Sequence, residues 1–487
     1  MKKVLPIILL SIFSSFLTNA QTAEDALRFS RVFYSGTARF NALSGAFGAV
    51  GADFSTLATN PAGIGLYKGS ELTVTLAPTI GYSSTMYNGT NATSDRINFG
   101  MGNFGVIFNI NPYDKNHSGV LKSVNIGFGF NRQNDFNNRV VINGVNAENS
   151  MMQAWTNVLN SKQTPPNYVR DDFPFDIGLA YDANLIFHDS ATNKYYCDAA
   201  YGGVIQNKQI DTYGSMNELD FSMGANFNDK LFVGLTFGVP SINYYENSIY
   251  RESRTKDTIP NFISLEYYSS LHTRGTGINI KAGIIYKPAD WIRIGASIHS
   301  PTWYPSMRDQ YSSSMQSVFT KSEWSTTQFS PMGNFDYTLT TPFRAMGSLA
   351  FIIGQYGLVS ADYEYVNYSQ ASFSSSTESY KTVNDAIKSD YKSWGNIRIG
   401  TEWRITNFRV RGGFGYFSNP FTGGINNSER FQVSGGFGYR AKHFFADVTY
   451  VWSRMNQDYY MYDANMVNAA AISYYTNTVS TTIGFRF

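Results

Sequence analysis

From Glu71 to its last residue the chain repeats one theme: about ten to fifteen residues that alternate apolar and polar, then a turn signal. Ile397, Ile399, Thr401, Trp403 and Ile405 alternate with Asn396, Arg398, Gly400, Glu402 and Arg404, so one side is greasy and the other charged. Phe408, Val410, Phe414 and Tyr416 do the same against Arg409, Arg411, Gly413 and Gly415, and the chain ends on Val479, Thr481, Ile483, Phe485 and Phe487. Strands of a soluble sandwich run to about five or six residues. Segments twice that length suit strands tilted across a bilayer. Fourteen can be counted, at 70–83, 96–110, 120–133, 219–228, 230–243, 275–287, 290–303, 342–354, 356–369, 395–405, 407–418, 429–440, 443–454 and 475–487. Tight connections at Asn228-Asp229, Pro288-Ala289, Gln355, Thr406 and Ala441-Lys442 alternate with long ones at 134–218, 244–274, 304–341, 370–394 and 455–474. Lipid cannot satisfy an exposed strand edge, so a spanning sheet must close. The pattern predicts an all-β fold, a transmembrane antiparallel β-barrel of about 14 strands over residues 70–487, with the long loops outside the cell.

Composition excludes the main alternatives. The chain is 43% hydrophobic, 16% aromatic and 15% charged, with 42 Gly, 34 Tyr and 37 Phe. A helical membrane protein needs apolar runs of about 20 residues, and the only long one is Val4 to Phe13, against a mean hydropathy of −0.25. Lys2 and Lys3, the apolar Val4 to Leu17 and Thr18-Asn19-Ala20 before Gln21 read as a signal peptide over residues 1–20, cut after Ala20. Removing it takes two of the 38 basic residues and leaves 36 basic against 36 acidic side chains. A formally neutral protein gives no electrostatic case for nucleic acid. The single Cys197 cannot form an internal disulfide, and the sequence carries no zinc spacing, phosphate loop, nucleophile elbow or zinc-protease helix. No catalytic residue, metal or other cofactor is expected.

Residues 21–69 break the alternation. They carry Gly36-Thr37-Ala38-Arg39, the run Leu43 to Asp53 rich in Gly and Ala, and Asn60-Pro61-Ala62-Gly63. This stretch is too apolar for a solvated tail and has no lipid-facing period, so it needs a protected place, and the barrel interior offers one. On these residues, with the strand that follows, the chain resembles the FadL/TodX-type outer-membrane transporters of hydrophobic compounds. The resemblance implies a hatch over residues 21–69 inside a fourteen-stranded barrel, with Asn60, Pro61, Ala62 and Gly63 as hatch or gating residues. Asn before Pro also starts turns, a structural role compatible with gating. Phe487 resembles the C-terminal signal that such barrels present to their insertion machinery.

Three further features bear on transport. In the connection 134–218, Met151, Met152, Trp155 and Leu159 fall at helical spacing, either as a capture surface for greasy ligands or as packing onto the barrel rim. If apolar faces meet lipid, then Arg344, Asp362, Glu364, Arg398, Glu402, Arg404, Arg409 and Arg411 face the lumen, as a bracing ion-pair network or as an anion guide. Ile97, Phe99 and Met101 share one face, whereas Phe104, Val106, Phe108 and Ile110 take the other parity. That slip predicts a β-bulge at Gly100, Gly102, Asn103 and Gly105, a candidate lateral gate. In the resembled family a kink that opens the wall lies on the third strand, whereas this slip is on the second. The expected function is passive uptake of hydrophobic molecules such as long-chain fatty acids, with hatch-gated or lateral exit, by a monomer whose partners are outer-membrane lipids and the ligand. The competing reading is a surface adhesion protein whose loops bind partners.

Overall fold

The computed structural model describes residues 21–110, 119–201, 203–255, 259, 261–424 and 426–487; the expected signal peptide lies outside the described residues. Fourteen wall strands follow one another around a closed sheet. They are β1 (Glu71–Leu76 and Thr79–Tyr87), β2 (Thr90–Asn98 and Met101–Ile110), β3 (Leu121–Asp135, then Asn138–Asn146), β4 (Val204–Phe227) and β5 (Leu231–Arg254). Next come β6 (Phe262–Thr276 and Asn279–Ala289), β7 (Ile292–His299 and Trp303–Phe319), β8 (Gly333–Thr340 and Arg344–Ile353), β9 (Gly357–Asn367) and β10 (Ser393–Ile405). The last are β11 (Phe408–Phe417), β12 (Arg430–Arg440), β13 (Phe444–Tyr459) and β14 (Ala470–Arg486). Every pairing is antiparallel, and β14 returns to β1 through Glu71↔Arg486 to Leu76↔Thr481 and Thr79↔Thr478 to Met86↔Ala471.

The alternation of side chains decides what each face meets. Leu72, Val74, Phe104, Phe128, Phe221, Leu235, Ile284, Ile294, Leu349, Ile399, Phe414, Val433 and Ile483 all project outward and exposed, a continuous apolar belt around the wall. Water would not tolerate an apolar surface of that extent on a monomer, and a bilayer's hydrocarbon would. The inward positions between them are Thr, Ser, Asn, Gly and charged residues, most of them buried.

The wall is taller than its apolar part. Residues 244–254, 262–274, 304–319 and 333–340 were expected in long loops and are strand, as are 204–218. Above the belt the outward residues become polar, as in Asn243, Tyr245 and Asn247, so hydrophobic alternation fades while backbone pairing continues. The turn placed at Pro288-Ala289 falls at 290–291, and β1 joins β2 through the two-residue turn Asn88-Gly89, both at positive φ. Asn-Gly between two alternating runs is a strong short hairpin signal, yet the sequence reading ends the first strand at 83 and begins the second at 96, where the structure continues both to this turn. The connections 228–230, 290–291, 354–356, 406–407 and 441–443 mark a tight-turn end. At the opposite end, residues 147–201 fold into a cap containing helix α1 (Met151–Lys162) and helix α2 (Ile177–Asp182).

The belt yields a contrast between two outward positions. Ile284→Arg, inside it, is expected to cost about 2–4 kcal/mol in denaturant unfolding from bilayers. Asn243→Arg, above it, should stay within about 0.5 kcal/mol of the parent.

Candidate functional site

Residues 21–67 run through the barrel against its inward faces. Their backbone is mostly irregular, and its polar groups are met by wall side chains. Thr482 Oγ1 accepts from Ala38 N–H (2.7 Å), Asn125 Nδ2 donates to Ile64 O (2.7 Å), and Thr236 Oγ1 donates to Leu57 O (3.0 Å). Asp362 takes the N–H groups of Phe47 and Gly48 at 2.9 and 3.0 Å, and Arg293 donates to Val50 O at 2.6 Å. Inward glycines let the two backbones close up: a Cβ on Gly400 or Gly413 would run into Leu43, and one on Gly234 into the Pro61 backbone. Asn60, fully buried, accepts from Ala62 N–H (3.1 Å) and donates to Gly48 O (2.6 Å), so Asn60, Pro61, Ala62 and Gly63 form a short 3₁₀ turn packed on β5 and β6.

The eight charges singled out from the sequence divide by height. Glu364 sits between Arg344 (2.9 Å) and Arg398, Arg344 also donates to Ser30 O, and Asp362 serves the backbone amides named above. Two arginines thus face two carboxylates. Nearer the tight-turn end, Glu402 holds Arg39 (2.9 Å), Arg411 (2.8 Å) and Arg404 (3.4 Å), and Arg411 reaches Asp447 (2.6 Å), which also binds Arg440 (2.7 Å). Arg409 bonds only the carbonyls of Thr406 and Phe408 among the described residues. Arg404 and Arg409 are the two partly exposed members, at the rim. Sequence reasoning missed Arg39, Asp447 and Arg440, and a second group in which Lys281 lies between Glu218 and Asp220 (3.1 Å). Inward parity on the neighbouring strands would have found Asp447.

The wall is incomplete at one place. Leu76 pairs with Met101 and Thr75 with Asn103, leaving Gly102 as an extra residue, so two consecutive positions, Gly102 and Asn103, are buried. From there β2 pairs with β3 only up to Asn103↔Asn131; Thr90–Asn98 keeps β1 as its sole strand partner among the described residues. Beyond Asp135, β3 leaves its neighbour β2, and Asn138–Asn146 pairs with β4 alone while lying on the buried face of the β1–β2 hairpin. Its unpaired carbonyls are met by side chains: Ser83 (2.7 Å) and Ser94 (2.8 Å) donate to Arg139 O, and Thr85 (2.7 Å) to Val141 O. At the notch itself the N-terminal segment stands in for a strand, with Phe33 N–H to Gln133 O (2.8 Å) and Ser35 N–H to Arg132 O (3.0 Å). The Ser35 and Gly36 carbonyls lie against Gly102, and the Arg132 side chain covers Gly100. Gly105 instead faces the Phe54 ring, inside the wall. Phe99, 86% exposed, points outward beside the break.

Behind the notch lies a lumenal cavity of about 510 Å³, lined by Phe33, Phe136, Tyr244, Tyr459 and Tyr475, by Arg28, Arg31 and Arg430, and by the carboxylates of Glu24, Asp25, Asp135 and Glu246. Arg31 donates to Ser428 O (2.9 Å), and Arg430 lies over the Phe33 ring at 4.2 Å. Neither has a carboxylate within ion-pair distance among the described residues, and Arg430 Nε is buried without a partner. Arg28, by contrast, is paired with Asp25 and Glu246.

Met151, Met152, Trp155 and Leu159 do not form an open capture groove. All four are buried in the core of the cap, packed with Ile177 and Leu179 against Tyr250, Phe262, Met315 and Ile472 of the wall. Helical periodicity marks the apolar face of a helix without telling whether protein or ligand covers it, and here the tall wall covers it. Glu252 holds the start of α1, accepting from Met151 N–H (2.9 Å), the Ser150 hydroxyl, Tyr250 and Gln206; burial pushes its carboxyl above the ordinary range against the pull of these donors.

No family model and no curated relative matches the chain. Solved structures do. They include the CymD monoaromatic hydrocarbon channel (12% identity, TM-score 0.51, 93% of this chain and 97% of that one) and a Pseudomonas aeruginosa FadL homologue (11%, 0.56, 94% and 99%). The Pseudomonas putida toluene transporter TodX matches similarly (11%, 0.51, 92% and 97%). The fold is therefore that of a closed outer-membrane β-barrel. Within that class its architecture is that of the FadL/TodX-type barrel.

Gly234→Val should force the Pro61 backbone off the wall. The expected result is an intact barrel in which residues 21–67 become cleavable by added protease, read by mass spectrometry of the released fragments.

Proposed function

We propose that the chain is an outer-membrane channel for passive uptake of hydrophobic molecules, with the capped end facing outward and residues 21–67 acting as its hatch. The observation that carries this reading is the cavity beside a notch that is sealed by the N-terminal segment and by side chains instead of a strand ladder. Each such bond contributes about 1 kcal/mol net, so the seal can open without unzipping the barrel. Ligand would leave the cavity sideways past Phe99, where the wall already lacks one pairing. The turning inward of the cap's apolar residues favours transport over adhesion, since a docking surface would present them.

The Arg31–Arg430 side of the cavity favours an amphipathic ligand, since of the acidic lining residues Asp25 and Glu246 are taken by Arg28. Aromatic rings would hold an apolar chain, and Arg31 with Arg430 offers two guanidinium groups to a carboxylate. Long-chain fatty acids have that chemistry.

Two measurements test this. In a Cys197→Ser background, Ser35→Cys with Arg132→Cys would tie the hatch to β3; uptake of a labelled fatty acid should fall at least fivefold when oxidised and return on reduction. Unchanged uptake by the oxidised form removes the notch from the path. Arg31→Gln with Arg430→Gln should lower fatty-acid binding about tenfold and leave toluene binding within a factor of two; equal losses would show a general collapse of the cavity.

A further inference from the structure

The arginines at the tight-turn mouth of the lumen outnumber their partners. Six guanidinium groups, those of Arg39, Arg293, Arg404, Arg409, Arg411 and Arg440, gather beneath the N-terminal segment. The carboxylates among them are Glu402 and Asp447, and the nearby Asp53 is engaged by the Thr37 hydroxyl (2.8 Å) and Ser55 N–H (3.0 Å). Arg404 and Arg409 are register partners on β10 and β11, directly opposite one another. Like charges in that position repel. Arg411, 3% exposed, leaves Nη2 without a hydrogen-bond partner, and Arg293 leaves Nε so. Buried donors are ordinarily satisfied. An excess of cations, an opposed like-charged pair and unmet buried donors in one place share a single remedy, an anion.

We propose that this cluster is an oxyanion site that takes the carboxylate or phosphate head of an amphiphile at the tight-turn mouth, with Arg404 and Arg409 as its outer jaws. Planar guanidinium groups suit such heads because they donate in parallel pairs. The Arg344–Glu364–Arg398–Asp362 group higher in the lumen offers nothing comparable, since its charges balance. The site does not depend on the uptake reading, because it requires binding by the purified chain whether or not anything is carried.

The test is unfolding of the full chain in a neutral detergent, comparing inorganic phosphate, dodecyl phosphate and chloride at equal ionic strength. Phosphate or dodecyl phosphate at about ten times its dissociation constant should raise the midpoint by about 2 °C over chloride. Arg404→Gln with Arg409→Gln should abolish that rise while leaving the midpoint in chloride equal to or above that of the parent, because a repulsion has gone. Arg404→Lys with Arg409→Lys should keep at least half of it. If dodecyl phosphate alone acts, the site reads an amphiphile's head; if both act equally, it reads the free oxyanion. A bracing role predicts the opposite pattern: a lower midpoint for the Gln pair in every salt and no phosphate effect in the parent, which would overturn the site. Should the double variant fail to assemble, Arg409→Gln alone must at least halve the rise, and an undiminished rise overturns the proposal equally.

Discussion

A barrel that encloses irregular backbone must supply the hydrogen bonds which water would otherwise give. An unmet buried amide or carbonyl costs about 1–3 kcal/mol, and residues 21–67 bring many of them into the lumen. The inner wall answers with Thr, Asn, Asp and Arg aimed at particular amides and carbonyls, as at Thr482, Asn125, Asp362 and Arg293. This fixes the chemistry of the inward face of the strands. The outward face is fixed as firmly by hydrocarbon, and a strand with one side for each produces the alternation seen in the sequence.

The notch obeys the same constraint. Where β3 departs from β2, edge carbonyls lose their strand partner, and those of Arg132, Gln133, Arg139 and Val141 have acquired others: hydroxyls of Ser83, Thr85 and Ser94, or the amides of Phe33 and Ser35. The substitutes differ from a ladder in one respect. A backbone ladder is cooperative along two strands, whereas these bonds break one at a time.

How much of this was legible follows from which residues carry period. The barrel, its closure and the inward charges were readable because lipid imposes apolarity at every second residue, as in Ile397 to Ile405. The bulge at Gly102 was readable as a change of parity. Strand above the belt was not, because Asn243, Tyr245 and Asn247 contact neither lipid nor core. Burial of Met151 and Trp155 was hidden because the wall that covers them was itself unread. The inward turn of β3 at Asp135 carries no composition signal beyond a cluster of Asn, and its cause, partners distant in sequence, is visible only in three dimensions.

Thr482 has two commitments, accepting from Ala38 N–H of the N-terminal segment and meeting the Thr75 hydroxyl across the closing pair of strands. Asn41, three residues on, bonds Ser480 on the same strand. A slip of β14 by one residue would turn these groups to lipid, and a slip by two would separate each from its mate. The register of the first and last strands is therefore matched to the N-terminal segment as well as to each other. The plug acts as a gauge for its own enclosure, because a barrel that closed on a shifted seam would no longer offer Thr482 and Ser480 to the residues that need them.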